Sequence, residues 1–165
     1  MSSILIRPAR PYDVPFILRF ITELAQYEKA GHEVEVTEES IHTAIFAEGA
    51  TAYALMCMID QHPAGFAVYF YNYSTWKGKH GIYLEDLYLL PQYRNKGAGK
   101  TILQYLAQLA LAKDCVRLEW GVLDWNQPAI EFYQSIGARP QDEWTTYRLS
   151  GKELIALAKQ QIVED

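Results

Sequence analysis

At 165 residues, half of them hydrophobic, the chain has material for one globular domain with a real core and too little for two. A net charge of −5 argues against non-specific nucleic-acid binding and favours cationic partners. No apolar run reaches the roughly 18 residues a membrane span needs, and MSSILIRPARPYD lacks the apolar core of a secretory signal, so a cytosolic protein with no membrane attachment is expected.

Ile4 to Arg7 reads as a short strand stopped by Pro8. Val14, Ile17, Leu18, Ile21, Leu24 and Ala25 recur at helical spacing, with Asp13 placed to cap, and this helix is predicted to run to about Glu28. Thr37-Glu38-Glu39-Ser40 opens a second helix through Ile41, Ala44, Ile45 and Phe46, closed by Gly49. The apolar, β-branched and aromatic runs 51–59 and 64–71 flank Asp60-Gln61-His62-Pro63 and predict a β-hairpin. Tyr69, Phe70, Tyr71, Tyr73 and Trp76 group as one aromatic cluster. A strand is expected over 82–89, a helix over 97–113 with Ile102, Leu103, Leu106, Leu109 and Ala110 as its buried stripe, and a strand over 117–123. Strand, crossover helix and strand imply a parallel pair. Pro128 opens a short helix through Tyr133 that Gly137 caps, 144–149 reads as a last strand, and Leu154, Ile155 and Leu157 suggest a C-terminal helix. Cys57 and Cys115 form no CxxC pattern and His32, His42, His62 and His80 are scattered singly, so reduced thiols and no metal site are expected.

The most informative stretch is LEDLYLLPQYRNKGAGK, Leu84 to Lys100. Its apolar run halts at Pro91, and a helix begins after Arg94-Asn95-Lys96-Gly97-Ala98-Gly99. Amides at a helix start have no intrahelical acceptor, and glycines there remove side chains that would block a phosphate. Arg94, Lys96 and Lys100 reverse the charge locally, as an acidic chain must to hold a polyanion. Gly99-Lys100-Thr101 copies the end of a P-loop, but Arg94 stands where that motif needs its first glycine. The dinucleotide fingerprint fails at Ile102.

Together with LDWNQPAIEFYQSIG, Leu123 to Gly137, this loop resembles the GNAT superfamily of acetyl-CoA-dependent N-acetyltransferases. Tyr27-Glu28, Tyr73-Ser74-Thr75-Trp76-Lys77-Gly78, Tyr83-Leu84-Glu85-Asp86 and Asp124-Trp125-Asn126-Gln127 are similar to the spermidine/spermine acetyltransferase family, and within it to the thialysine acetyltransferase branch. The resemblance spans about Ile4 to Gly137. It implies an α/β (α+β) GNAT fold: one domain over 1–165, with a mixed central sheet of six to seven strands flanked by helices. It also implies a homodimer.

Acetyl transfer to an ammonium with a pKa near 10.4 requires a base, since freeing the amine at pH 7 costs about 4.6 kcal/mol. The resemblance assigns that role to Glu85, acting through water, and amine binding to Tyr27, Glu28, Trp76, Glu85 and Asp86. Because side chains alternate along a strand, Glu85 and Asp86 can share a face only if a bulge intervenes. By the same resemblance Tyr133 is the general acid for the leaving thiolate. Main-chain groups of Leu87, Tyr88 and Leu89 meet the acetyl and pantetheine portions, the 94–100 loop (Arg94, Asn95, Lys96, Gly97, Ala98, Gly99, Lys100) holds the pyrophosphate, and Asn126, Pro128 and Ala129 line the pantetheine's far side. Ser74 stands where polyamine-specialised members carry aspartate, so a thialysine-like amine is the expected acceptor and polyamines rank second. A non-catalytic acyl-CoA-binding module is the alternative of another class, opposed by Glu85 and Tyr133.

Overall fold

The structure is a computed structural model that describes residues 2–160. It has two compact units, Met1–Leu123 and Asp124–Asp165. The first contains β1 (Ile4–Pro8), α1 (Val14–Tyr27), α2 (Glu38–Phe46), β2 (Tyr53–Ile59), β3 (His62–Ser74), β4 (Lys79–Leu89), α3 (Ala98–Ala112) and β5 (Leu118–Trp120). The strands form one sheet in sequence order, antiparallel from β1 to β4 and parallel between β4 and β5, the pair that α3 connects.

Alternation along the strands sorts the core onto two faces. On one face the stripe of α1, Val14, Ile17 and Phe20, together with Ile41 of α2, packs on Ala54, Met56, Phe66, Tyr88 and Leu90. Phe20 and Phe66 are fully buried with ring centroids 5.7 Å apart, a contact that contributes about 0.5–1.5 kcal/mol beyond the area it covers. On the other face Leu55, Cys57, Ala67 and Leu84 are buried, and α3 adds Ile102, Leu103, Leu106 and Ala110. The same alternation divides the expected aromatic cluster. Tyr69 and Tyr71 join Tyr53 on the α3 side, whereas Phe70 stacks on Tyr83 across the sheet.

Thr37 caps α2 as expected, accepting from Ser40 N at 3.1 Å while Thr37 N donates to Ser40 Oγ at 2.9 Å. Asp13 does not cap α1. Its carboxylate is occupied by Arg7, through two bonds of 2.7 and 2.9 Å, and by Arg10 N at 2.8 Å, so it ties β1 to the start of α1 instead. The β2–β3 turn is tighter than predicted: Asp60 and Gln61 take φ of 48° and 67°, and His62 and Pro63 already belong to β3. Pro63 is tolerated because β3 starts to pair with β4 only at Gly65.

The second unit contains α4 (Gln127–Ser135) and α5 (Gly151–Ala158). Asn126 caps α4 through its side chain, and Gly137, with φ of 90°, closes it. Residues 144–149 are not a strand, and the sheet has five strands rather than six to seven. A strand exists only where its backbone joins a ladder, and residues 144–149 take part in none. Among the described residues no helix is long and apolar enough to cross a membrane, and no cluster of His, Cys, Asp or Glu is placed to hold a metal ion.

Candidate active site

The site is built on an irregularity in β4. Val68 pairs with Asp86 and its neighbour Tyr69 with Leu84, which leaves Glu85 as the extra residue of a β-bulge. The extra residue resets the alternation. Tyr83, paired with Phe70, and Asp86, paired with Val68, both face the α1 side, and Glu85 between them joins the same face. The stated condition for Glu85 and Asp86 to act together is therefore met.

Glu28, just past the end of α1, lies within electrostatic reach of both. Burial, then the charges of Glu85 and Glu28, push the Asp86 carboxyl up to about 6. Burial, then Glu85, also raises Glu28. Burial followed by Glu85 and Glu119 raises the Tyr83 hydroxyl. Glu28 and Asp86, whose ionisation burial and neighbouring acids oppose, make a strong attraction for a cation beside Glu85, because a bound ammonium relieves that opposition. Sequence reasoning gave Tyr83 no role. Its signal was the two-residue spacing from Glu85, which places both on one face.

Beyond Leu84 the β5 side of β4 opens. The parallel register covers only Ile82, Tyr83 and Leu84, while β4 continues to Leu89. Leu87, Tyr88 and Leu89 therefore lie where no described strand pairs with that edge, a position suited to an extended ligand that adds itself as a strand. Arg94 folds back over this region. Its Nε donates to Leu89 O at 2.9 Å, and its guanidinium lies 5.4 Å from the ring centroids of Tyr27 and of Tyr88. The Tyr88 hydroxyl in turn donates to Glu23 Oε2 at 3.2 Å. Tyr27 thus reaches the 94–100 loop through Arg94, which links the two binding regions the sequence kept separate.

Asn95 and Gly97 have φ of 61° and 85°, so the chain turns through the left-handed region before α3. No side chain caps the helix, and its first internal bond is Thr101 N to Gly97 O, so the amides of Ala98, Gly99 and Lys100 have no partner within the helix. Outside its chain neighbours and its own helix backbone, a Cβ at Gly99 would meet only Leu89 Cδ1, at an ordinary contact distance of 3.8 Å. Protein packing therefore does not require glycine there, whereas close approach of an anion to the amides does. Lys96 lies over Tyr93 at 5.7 Å, and Lys100 is exposed. This donor set fits the pyrophosphate of coenzyme A.

Trp76 stands apart from the carboxylates, on the turn at the far end of the β3–β4 hairpin and 89% exposed. Six residue-to-residue steps along the strand, about 20 Å, separate Lys79 from Glu85. In the second unit Asn126, Pro128 and Ala129 form the first turn of α4 and its cap, and Tyr133 follows one turn later, its ring 5.7 Å from that of Phe132.

An open strand edge running into an anion-ready helix start, beside a group of carboxylates, is the arrangement of an acyl-transferring enzyme. Comparison with known proteins makes the class specific. Residues 18–138 match the Acetyltransferase (GNAT) family. The chain is 38% identical over 169 residues to thialysine N-epsilon-acetyltransferase of Sus scrofa, covering 96% of this chain and 99% of the relative. It is 30% identical to an L-ornithine N5-acetyltransferase of Arabidopsis thaliana, covering 93% of this chain and 87% of the relative. An integron cassette protein from the mobile metagenome of V. cholerae superposes with a TM-score of 0.80 at 26% identity, covering 96% of this chain and 99% of that one. The chain belongs to the GNAT acetyltransferase family, enzymes that move an acetyl group from acetyl-CoA to an amine.

Proposed function

We propose that this enzyme acetylates the side-chain amine of a small thialysine-like amino acid, with Glu85 as water-mediated base and Tyr133 as general acid. The observation that carries the reading is the bulge that sets Glu85 beside Asp86 and within reach of Glu28. Support for the acceptor comes from the relatives, two of which are named for amino acids modified on a side-chain nitrogen.

The carboxylates first hold the acceptor as its ammonium. Glu85, the most exposed of β4's two acids, takes the proton through water, and the freed nitrogen attacks the thioester carbonyl. When bound, acetyl-CoA supplies that thioester. The β4 edge at Leu87, Tyr88 and Leu89 orients the acyl and pantetheine portions, and an edge amide donates to the carbonyl oxygen as it gains charge. As the carbon–sulfur bond breaks, Tyr133 gives its proton to the departing sulfur. That transfer is uphill by about 2 kcal/mol between ordinary tyrosine and thiol pKa values, so a hydrogen bond to the developing thiolate does much of the work. The amides of Ala98, Gly99 and Lys100, with Arg94, Asn95, Lys96 and Gly97, hold the pyrophosphate. Asn126, Pro128 and Ala129 line the pantetheine. Tyr27 contributes aromatic surface to the amine, and a second copy of the chain completes a cytosolic homodimer.

Thiol release from acetyl-CoA, measured across thialysine, lysine, putrescine, spermidine and a histone-type peptide, tests the reading. Turnover concentrated on the amino acids is the expected result. Spermidine at far higher kcat/KM would reverse the order of acceptors, and acetyl-CoA binding with no turnover on any amine would leave a binding module.

A further inference from the structure

We infer that Arg117 and Glu119 form a head-group subsite that binds the α-carboxylate and α-ammonium of an amino-acid acceptor while its side-chain amine occupies Glu85 and Asp86. The inference rests on the acetyl-transfer reading and names the residues that choose an amino acid over a diamine.

The placement follows from the register. Glu119 pairs with Tyr83, which faces the α1 side with Glu85 and Asp86, so Glu119 joins that face. Arg117 precedes Glu119 by two residues and leans over Gly81, where an added Cβ would lie 2.7 Å from Arg117 Cγ and 2.6 Å from Asn72 Oδ1. Glycine at position 81 is what lets these two side chains close above the strand. The Arg117 Nε lies 2.8 Å from Glu119 Oε1, Asn72 Nδ2 donates to the same oxygen at 3.2 Å, and Arg117 Nη2 donates to Tyr73 O at 3.4 Å. Arg117 Nε, itself buried, meets Glu119 Oε1 as an ion pair without hydrogen-bond geometry, and Glu119 Oε2 and Arg117 Nη1 are left without a hydrogen bond to the described residues. The two side chains are 38% and 37% exposed, so a ligand can reach them.

A guanidinium nitrogen with free N–H donors beside a free carboxylate oxygen complements a zwitterion. Arg117 suits the α-carboxylate and Glu119 the α-ammonium. A diamine or polyamine brings only a second ammonium, which meets the charge of Arg117 as well as that of Glu119 and gains little. The span also fits. Glu85 lies two residues beyond Tyr83 on β4, about 7 Å along the strand direction. The amine nitrogen and α-carbon of an extended lysine are about 6 Å apart, from five bonds of about 1.5 Å. Tyr83 forms the floor between the two ends, and Gly121 carries no side chain beside its hydroxyl, where a Cβ would come within 3.7 Å.

The test compares lysine with cadaverine, the same amine without the carboxylate, and with Nα-acetyl-lysine, which lacks the α-ammonium. Unaltered protein should favour lysine over both by about 10- to 100-fold in kcat/KM, the range expected for hydrogen bonds to charged groups. Arg117→Ala should remove the preference over cadaverine by lowering kcat/KM for lysine and raising it for cadaverine, whose second ammonium then meets Glu119 without the guanidinium, Arg117→Lys should restore part of the preference, and Glu119→Gln should narrow the gap to Nα-acetyl-lysine. Equal losses on lysine and cadaverine in Arg117→Ala, with acetyl-CoA binding intact, would overturn the subsite. The comparison on unaltered protein needs no variant to fold, and indifference to the α-carboxylate there overturns it as well. A protein that acetylates none of these amines fails at the reaction itself, a result distinct from turnover without selectivity.

Discussion

Asp86 holds its proton unusually long because burial, then the charges of Glu85 and Glu28, oppose its ionisation and push it up to about 6. Between about pH 4 and pH 6 the folded chain keeps this proton while an unfolded aspartate has lost it, so folding binds a proton and stability falls as pH rises through the window. Asp86→Asn should therefore raise Tm at pH 7 to 8, with the gain vanishing near pH 4. Function should move the other way. In the proposed site the ammonium pairs with the ionised carboxylate, so kcat/KM for the amine should break near pH 6 on the acid side and lose that break in Asp86→Asn; a profile unchanged by the substitution would remove Asp86 from the site. Asp13, 2% exposed and bonded twice to Arg7, is a stability residue by contrast. Asp13→Ala leaves a half-buried guanidinium unpaired and should cost about 3–5 kcal/mol in urea unfolding, with kcat at low temperature preserved.

At the scale of elements, the two glycines at the start of α3 serve different ends. Gly97 sits at φ of 85°, where a side chain costs about 1–2 kcal/mol, so Gly97→Ala should lower Tm. Gly99 is already helical with open space around it, so Gly99→Ala should hold or raise Tm through helix propensity while raising KM for acetyl-CoA. A lowered Tm with unchanged KM in Gly99→Ala would mean the glycine serves the fold. The helix start at these glycines was readable from the sequence, because glycine punctuates the chain just where the helical pattern begins. The stripe of α1 and the Thr37 cap were readable too, since periodicity and capping are local. The bulge was not. Nothing in Leu84-Glu85-Asp86-Leu87 says which residue goes unpaired, because that is decided by how the hydrophobic faces of β3 and β4 align at both ends. Asp13 misled for a related reason: a cap position is local, but Arg7, on β1, competes for the same carboxylate. The 144–149 run has strand composition and no ladder, and composition cannot supply a partner.

The second unit sets the question for the whole molecule. None of its described residues is buried, and its large apolar side chains are open, Trp144 at 72% and Tyr147 at 93%, with Leu149, Leu154, Ile155 and Leu157 about half exposed. By itself this unit, two short helices and an extended run, has little core to offset the conformational entropy of ordering it. The family resemblance implies a second copy of the chain. The protein should therefore sediment at twice the chain mass at micromolar concentration. Trp144→Asp with Tyr147→Asp should shift it to the monomer and make Tm independent of protein concentration, whereas Tm of the unaltered protein should climb as protein is added. Sedimentation of the unaltered protein as a monomer, with a concentration-independent Tm, would leave this surface for a partner of another kind. If the monomeric variant keeps acetyl-CoA affinity but loses turnover, the surface serves catalysis as well as stability, because the unit that carries Tyr133 is then ordered by the partner; if it keeps turnover, the dimer is a matter of stability alone.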